Sequence, residues 1–226
     1  MGLILDGNRR WAREKGVSHM KGHYKGKEVA SQAGDWFFAR GVKFLSLFVF
    51  SVENWNRASE EVDYLMTLLR EMLKEKMKKA SRDNFRFVVS GREEDLPRDI
   101  VEKCRELEKK TRDKTGGTIN LCLNYGGQIE IVDAVRKIIA EGTEKEKINE
   151  DLLAEYLYHS DLPPLDMVVR TSGEQRISGF QLWRSAYAEF LFLDKYWPDF
   201  SREDVDHIIA EFSRRQRRFG GDVSVS

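Results

Sequence analysis

The sequence predicts an α/β fold: one domain built on a mostly parallel six-stranded sheet surrounded by helices. Strand-like and helix-like segments alternate from one end of the chain to the other, which calls for crossover connections. Several of the strand-like runs are almost continuously apolar, as strands covered on both faces should be. No repeat, low-complexity tract or composition break marks a linker, and 226 residues suit one sizeable core. Residues 1–226 therefore read as a single domain.

The elements follow in order. Residues 2–5 form a short buried strand, and Asp6-Gly7-Asn8 is turn chemistry ahead of a helical start carrying Arg9, Arg10 and Arg13. A helix over 26–40 places Val29, Ala33, Trp36 and Phe37 at helical spacing. FLSLFVF (44–50) is the most apolar strand. Ser59 can cap the helix over 60–82, and Glu60 and Glu61 suit its positive end. The apolar face of that helix is rich in methionine, suited to core packing, a subunit interface or the wall of an apolar channel. Strands at 85–90, 118–124, 166–170 and 189–193 alternate with helices over 97–114, 127–141, 149–158 and 202–218. The charged stretch 142–151 is a surface loop leading into a helix.

The 38 basic and 38 acidic residues cancel, so the electrostatic footprint of a nucleic-acid binder is missing. With 41% hydrophobic and 11% aromatic residues, the chain is not a disordered one. Cys104 and Cys122 fit a reducing cytosol, with Cys122 in an apolar run that reads as core. There is no secretory signal, and the longest apolar runs are far too short for a bilayer. A cytoplasmic protein is expected, with at most peripheral membrane contact.

In a sheet of this kind ligands bind beyond the carboxyl ends of the strands. That rule gathers Asp6 to Arg13 after the first strand, SVENWNR (51–57) after the second, NYGG (124–127) after the fourth and RTSGEQRIS (170–178) after the fifth. Gly7 and Asn8 lie where a strand meets a helix, so backbone N–H groups can face an anion. Arg9 and Arg10 add forked donors matched to phosphate oxygens. An acid in such a nest weakens anion binding unless it holds a cation, so Asp6 reads as a Mg²⁺ ligand at a metal–diphosphate. Arg170, Arg176 and Ser178 would serve a second phosphorylated ligand, or else form ordinary surface ion pairs. Glu189 is either a partner for one of these arginines or a second metal-associated carboxylate. Asn54 is a poor free-standing base but can relay or orient a proton transfer. Trp55 alone reads as core, and His23 alone as structural.

Taken in order, DGNRRWA, GH, FSVENWNR, NYGG, RTSGEQRIS, LWRSAYAE and RRFGG resemble the cis-prenyltransferases, the family of undecaprenyl and dehydrodolichyl diphosphate synthases. No one piece is decisive; the ordered set, from about residue 2 to 221, is very specific. The resemblance implies a parallel sheet with an apolar tunnel beneath the site, a homodimer, and Mg²⁺ shared by Asp6 and Glu189. It implies that Gly7, Asn8, Arg9, Arg10 and His23 bind an allylic diphosphate (farnesyl, geranylgeranyl or similar), with Trp11 packed beside it. Ser51, Val52, Glu53, Trp55 and Arg57 would shape the reaction centre, and Asn54 would accept the proton. Arg170, Arg176, Ile177 and Ser178 would hold isopentenyl diphosphate. The tail, about 214–226, would cross the dimer interface and close over the partner's site.

This chain departs from the family pattern in places. His19 stands where many members have Arg, and Gln175 where many bacterial members have His. Val49 fills a strand-end position that is often smaller in long-chain enzymes. The implied activity is Mg²⁺-dependent condensation of isopentenyl diphosphate onto an allylic primer, giving a (Z)-polyprenyl diphosphate as a lipid-carrier precursor. Two alternatives stand beside it: a non-catalytic partner subunit of a heteromeric cis-prenyltransferase, and a metal-dependent phosphoester-processing enzyme. Intact DGN and RxxxxxRxS motifs argue against the former, and the absence of a Walker GxxxxGK[ST] against a kinase-like form of the latter.

Overall fold

A computed structural model describes residues 1–215 of the chain. Its strands are β1 (Gly2–Ile4), β2 (Phe44–Ser51), β3 (Arg86–Ser90), β4 (Thr118–Tyr125), β5 (Met167–Arg170) and β6 (Glu189–Phe192). They form one sheet in the order β3-β4-β2-β1-β5-β6, and every pairing is parallel. The helices are α1 (Asn8–Glu14), α2 (His19–Phe38), α3 (Ser59–Lys79), α4 (Arg98–Thr111), α5 (Gly127–Ala140), α6 (Glu150–Tyr156) and α7 (Arg202–Arg214). A 3₁₀ segment, Val52–Asn56, follows β2. The predicted α/β fold with six parallel strands is the observed one, with most element ends shifted by a few residues and one helix start by seven.

β1 lies between β2 and β5, so the strand order reverses direction beside it. A parallel sheet opens a crevice at such a reversal. The register sets the neighbours: Ile4 lies opposite both Phe48 and Arg170, so the turn after β1 emerges beside the ends of β2 and β5. One face of the sheet buries Leu3, Leu47, Leu121 and Val169 with Phe37, Leu73, Trp197 and Ile208. The other face gathers Ile4, Cys122, Tyr125, Val168 and Phe180, so Cys122 is core, as its apolar setting implied.

α2 begins seven residues before the helix read at 26–40. The glycines of KGHYKGK look like a loop, but they face α1 at contact distance. A Cβ on Gly22 would lie 2.2 Å from the Asn8 carbonyl oxygen, and one on Gly26 would lie 2.1 Å from Asn8 Oδ1. These glycines are there for close approach. Ser18 caps the helix by accepting from Lys21 N–H. The last helix is described as far as Arg214, and the tail motif Arg217-Arg218-Phe219-Gly220-Gly221 lies outside the described residues.

Candidate active site

A cavity of about 1000 Å³ opens at the carboxyl ends of β1, β2 and β5. Its wall collects Asp6, Gly7, Asn8, Arg9, Arg10, His19, His23, Ser51, Glu53, Asn54, Arg57, Arg170 and Ser178, all read from the sequence as site residues. Val49 and Leu65 line both this cavity and a narrow apolar recess of about 90 Å³ beneath it, between α2, α3 and the sheet. Met66, Leu69 and Met72 continue that recess, so part of the methionine-rich face of α3 does line apolar space.

Asp6 is the hinge of the polar half. Its Oδ2 accepts from Arg10 Nη2 at 2.9 Å and from Arg170 Nη2 at 2.8 Å. Burial opposes its charge, but these guanidiniums outweigh burial and hold its carboxyl below the usual carboxylate range. Its main chain is clamped as well: its N–H donates to Thr171 Oγ1 at 3.0 Å, and the Thr171 hydroxyl donates to its carbonyl at 2.6 Å. Arg10 reaches on to Ser172 Oγ at 2.6 Å and Glu174 Oε1 at 2.7 Å, and Glu174 also pairs with Arg176. Arg170 closes the circuit by donating to the Arg176 carbonyl at 2.6 Å and Ser178 Oγ at 2.8 Å. The expected separate anion sites are therefore joined in one ring of alternating charge. Arg170 is only 5% exposed, and its Nε is buried without a hydrogen-bond partner. A donor left over beside such a ring suits an anionic ligand.

Glu61, read from sequence only as a favourable charge at a helix start, is a buried carboxylate behind the lining residues His23, Arg9 and Arg57. It meets His23 Nε2 at 3.1 Å, Arg57 Nη1 at 2.9 Å and Arg9 Nη1 at 3.8 Å. The roles of Thr171, Glu174 and Glu61 went unread because their contacts with Asp6, Arg10 and His23 each join residues far apart in sequence.

Other predicted residues lie outside the cavity wall. Trp11 Nε1 donates to Asp199 Oδ1 at 2.8 Å, away from the opening. Trp55 packs edge-on against Phe50 and donates to Asn124 Oδ1 at 2.8 Å, so NYGG supports the loop after β2 from behind. Val52 sits against Gly126, and Ile177 joins the core of the second face. Asn54, which does line the cavity, accepts at Oδ1 from Ser51 N–H at 3.1 Å, capping the 3₁₀ segment in which it sits. Glu189 pairs in register with Met167, not Arg170, and its Oε2 accepts from Arg215 at 2.7 Å. It lies at the amino end of the sheet, about 10 Å down the strand direction from the level of Arg170. Within one chain it does not join Asp6, because all strands run the same way.

Among the described residues no group of three or more His, Cys, Asp or Glu side chains is arranged to hold a metal ion. Asp6 is the carboxylate of the ring that lines the cavity. Mg²⁺ binds by one or two carboxylates plus substrate phosphate oxygens, so this donor set fits a cation that arrives with a diphosphate.

The profile described as "Putative undecaprenyl diphosphate synthase" matches residues 4–220. The chain belongs to this family. It is 42% identical over 224 residues to an isoprenyl transferase of Thermotoga maritima, covering 98% of this chain and 96% of that protein. It is 40% identical over 218 residues to the isoprenyl transferase of Aquifex aeolicus, covering 96% and 94%. Among solved structures, lavandulyl diphosphate synthase from Lavandula x intermedia, in complex with dimethylallyl diphosphate, superimposes with a TM-score of 0.93 at 30% identity, covering 97% of this chain and 96% of that one. A probable undecaprenyl diphosphate synthase from Campylobacter jejuni gives 0.81 at 30% identity, with the same coverage. Family membership makes the protein a prenyltransferase that works on isoprenoid diphosphates. Among the described residues no helix is long and apolar enough to cross a membrane.

Proposed function

We propose that this chain elongates cis-prenyl chains: with Mg²⁺, it condenses isopentenyl diphosphate with an allylic diphosphate such as farnesyl or geranylgeranyl diphosphate. The product is a (Z)-polyprenyl diphosphate, a lipid-carrier precursor. The observation that carries this reading is the junction of an arginine-lined cavity with an apolar recess at Val49 and Leu65. A substrate with a charged head and a growing hydrocarbon tail needs both, and each buried CH₂ contributes about 0.8 kcal/mol.

Gly7, Asn8, Arg9, Arg10 and His23 would hold the allylic diphosphate, with its tail directed past Val49. Arg170, Arg176 and Ser178 would hold the isopentenyl diphosphate. The allylic C–O bond breaks and its electron pair leaves with the diphosphate, whose growing charge the arginines meet in place. Mg²⁺ bound to Asp6 and the leaving diphosphate would supply further charge neutralisation there. The isopentenyl double bond forms the new C–C bond at the allylic carbon, and a proton departs to leave the new cis double bond. Asn54, capping its own 3₁₀ segment, would orient that proton's path rather than act as a free base. Homodimerisation belongs to the same proposal. A part for Glu189 at the cation would require its carboxylate to come from another chain, and β6 is an edge strand with Phe190 exposed.

The purified chain, given radiolabelled isopentenyl diphosphate, an allylic primer and Mg²⁺, should incorporate label into a ladder of polyprenyl products with cis double bonds. Incorporation only after a second, different subunit is added would support the partner-subunit reading instead. Phosphate release without a new C–C bond would support the phosphoester-processing one.

A further inference from the structure

Glu61 is 4% exposed and still ionised. Burial works against its charge, but the His23 hydrogen bond and the Arg57 and Arg9 guanidiniums overcome it and hold the carboxyl below its usual range. It thereby ties α3 to α1, to α2 and to the loop after β2, which are the elements that carry the allylic half of the cavity. His23, 7% exposed, lines the same cavity. Burial pushes its imidazole below the ordinary histidine value. The Glu61 hydrogen bond opposes this, while Arg57 and His19 add to the lowering. The charged groups around it are Glu61 from α3, Arg57 from the preceding loop, and His19 on its own helix. Arg9 from α1 acts through Glu61, and Lys27, one turn further on, is taken up by Glu71 and Glu75.

A neutral imidazole has one N–H, and a carboxylate can only accept. The 3.1 Å contact therefore puts the His23 proton on Nε2, pointing at Glu61, and leaves Nδ1 with a lone pair. Diphosphate oxygens also only accept. They can bond Nδ1 only after it gains a proton, and the resulting imidazolium would then lie between two anions that stabilise it.

We propose that Glu61 is a positioning residue that fixes the His23 tautomer, so that a diphosphate captured at His23 binds together with a proton. The inference rests on the reading of this cavity as a diphosphate site. It deepens that reading by making allylic-substrate capture dependent on pH through a residue that need not touch the substrate.

The test uses the full chain with isotopically labelled histidine, the imidazole signals being assigned with His23→Gln. Inorganic sulfate is the probe, because it does not titrate between about pH 6 and 9 and any proton taken up is the protein's. At about pH 7.5 the free protein should show His23 neutral with the proton on Nε2, and saturating sulfate should raise its titration midpoint by about one unit or more. In Glu61→Gln that rise should shrink, since an amide can satisfy Nε2 in either tautomer, so a neutral Nδ1–H can donate to sulfate with no proton taken up. The KM for farnesyl diphosphate should rise about tenfold in Glu61→Gln, with the KM for isopentenyl diphosphate unmoved. A proton on Nδ1 in the free protein, a His23 already charged at that pH, or a midpoint indifferent to sulfate would each overturn the proposal. Should Glu61→Gln fail to fold, the wild-type tautomer and sulfate response still decide. These nuclear signals do not depend on prenyl transfer: a chain that takes up the proton with sulfate but makes no product would sink the transferase reading alone.

Discussion

Asp6 shares one carboxylate oxygen between Arg10 and the nearly buried Arg170, so it is a structural counter-ion as well as the expected metal acid. From the sequence, this corner looks basic and exposed, and removing Asp6 looks harmless to the fold. The ring makes it costly. Asp6→Ala should nearly abolish turnover and also lower unfolding stability by about 1–3 kcal/mol, because Arg170 loses its partner. The carboxyl of Asp6 is held below its ordinary value, so its stabilisation is present above about pH 4 and is lost as pH falls through the folded value. Denaturant titrations of wild type and Asp6→Asn should thus differ most near neutrality and converge in acid; a pH-independent gap would refute the ion-pair account. The same ring predicts unequal arginines. Arg170→Ala should weaken both diphosphates because Arg170 anchors Asp6 and the 170–178 loop together, whereas Arg176→Ala should chiefly weaken isopentenyl diphosphate. Calorimetric binding of each ligand to each variant checks this. The residues that line the cavity were legible because turn and arginine motifs at strand ends have local signatures. The roles of Thr171 and Glu61 were not, because contacts across 165 and 38 residues leave no local pattern.

At the scale of elements, α2 shows where local propensity misleads. Glycine weakens a helix interior by about 1 kcal/mol relative to alanine, and Gly22 and Gly26 lie before and at the helix start read at 26. Tertiary contact reverses that, since α1 crosses where only a hydrogen fits. Gly22→Ala should destabilise the fold by about 2 kcal/mol or more despite its better helix propensity, because its Cβ would meet the Asn8 backbone oxygen at 2.2 Å. Gly16 and Gly41 have open space around them but a positive φ, which makes them poor controls. Ala12→Gly, which opens space on the same α1–α2 contact, is the better comparison, expected to cost about 1 kcal/mol by propensity. Urea midpoints measure both; a stabilised Gly22→Ala would mean that α1 can shift freely. The strands, by contrast, were legible throughout, since most strands of this parallel sheet are covered and write themselves as apolar runs.

At the scale of the whole molecule, the fold class follows from alternation and apolar runs, but the depth of the apolar recess does not. It depends on how α2 and α3 splay from the sheet, and no single segment encodes that angle. Val49, like Leu5 and Leu65, lines both the cavity and the recess, while Met72 lies only in the recess wall. This separates a limit set at the mouth from one set at depth. If the mouth limits chain growth, Val49→Ala should shift the product ladder to longer chains and Met72→Ala should leave it unchanged. If depth limits growth, the order reverses, because the tail already passes Val49 and stops against α3. Each truncation removes buried carbon and should cost about 1–3 kcal/mol of stability, so products are compared at a temperature where both variants remain folded. An unchanged ladder in both would place the limit outside these walls, in the rate at which product leaves relative to the next condensation. That outcome is separable by single-turnover kinetics, in which a release-limited enzyme adds each isoprene unit at the wild-type rate.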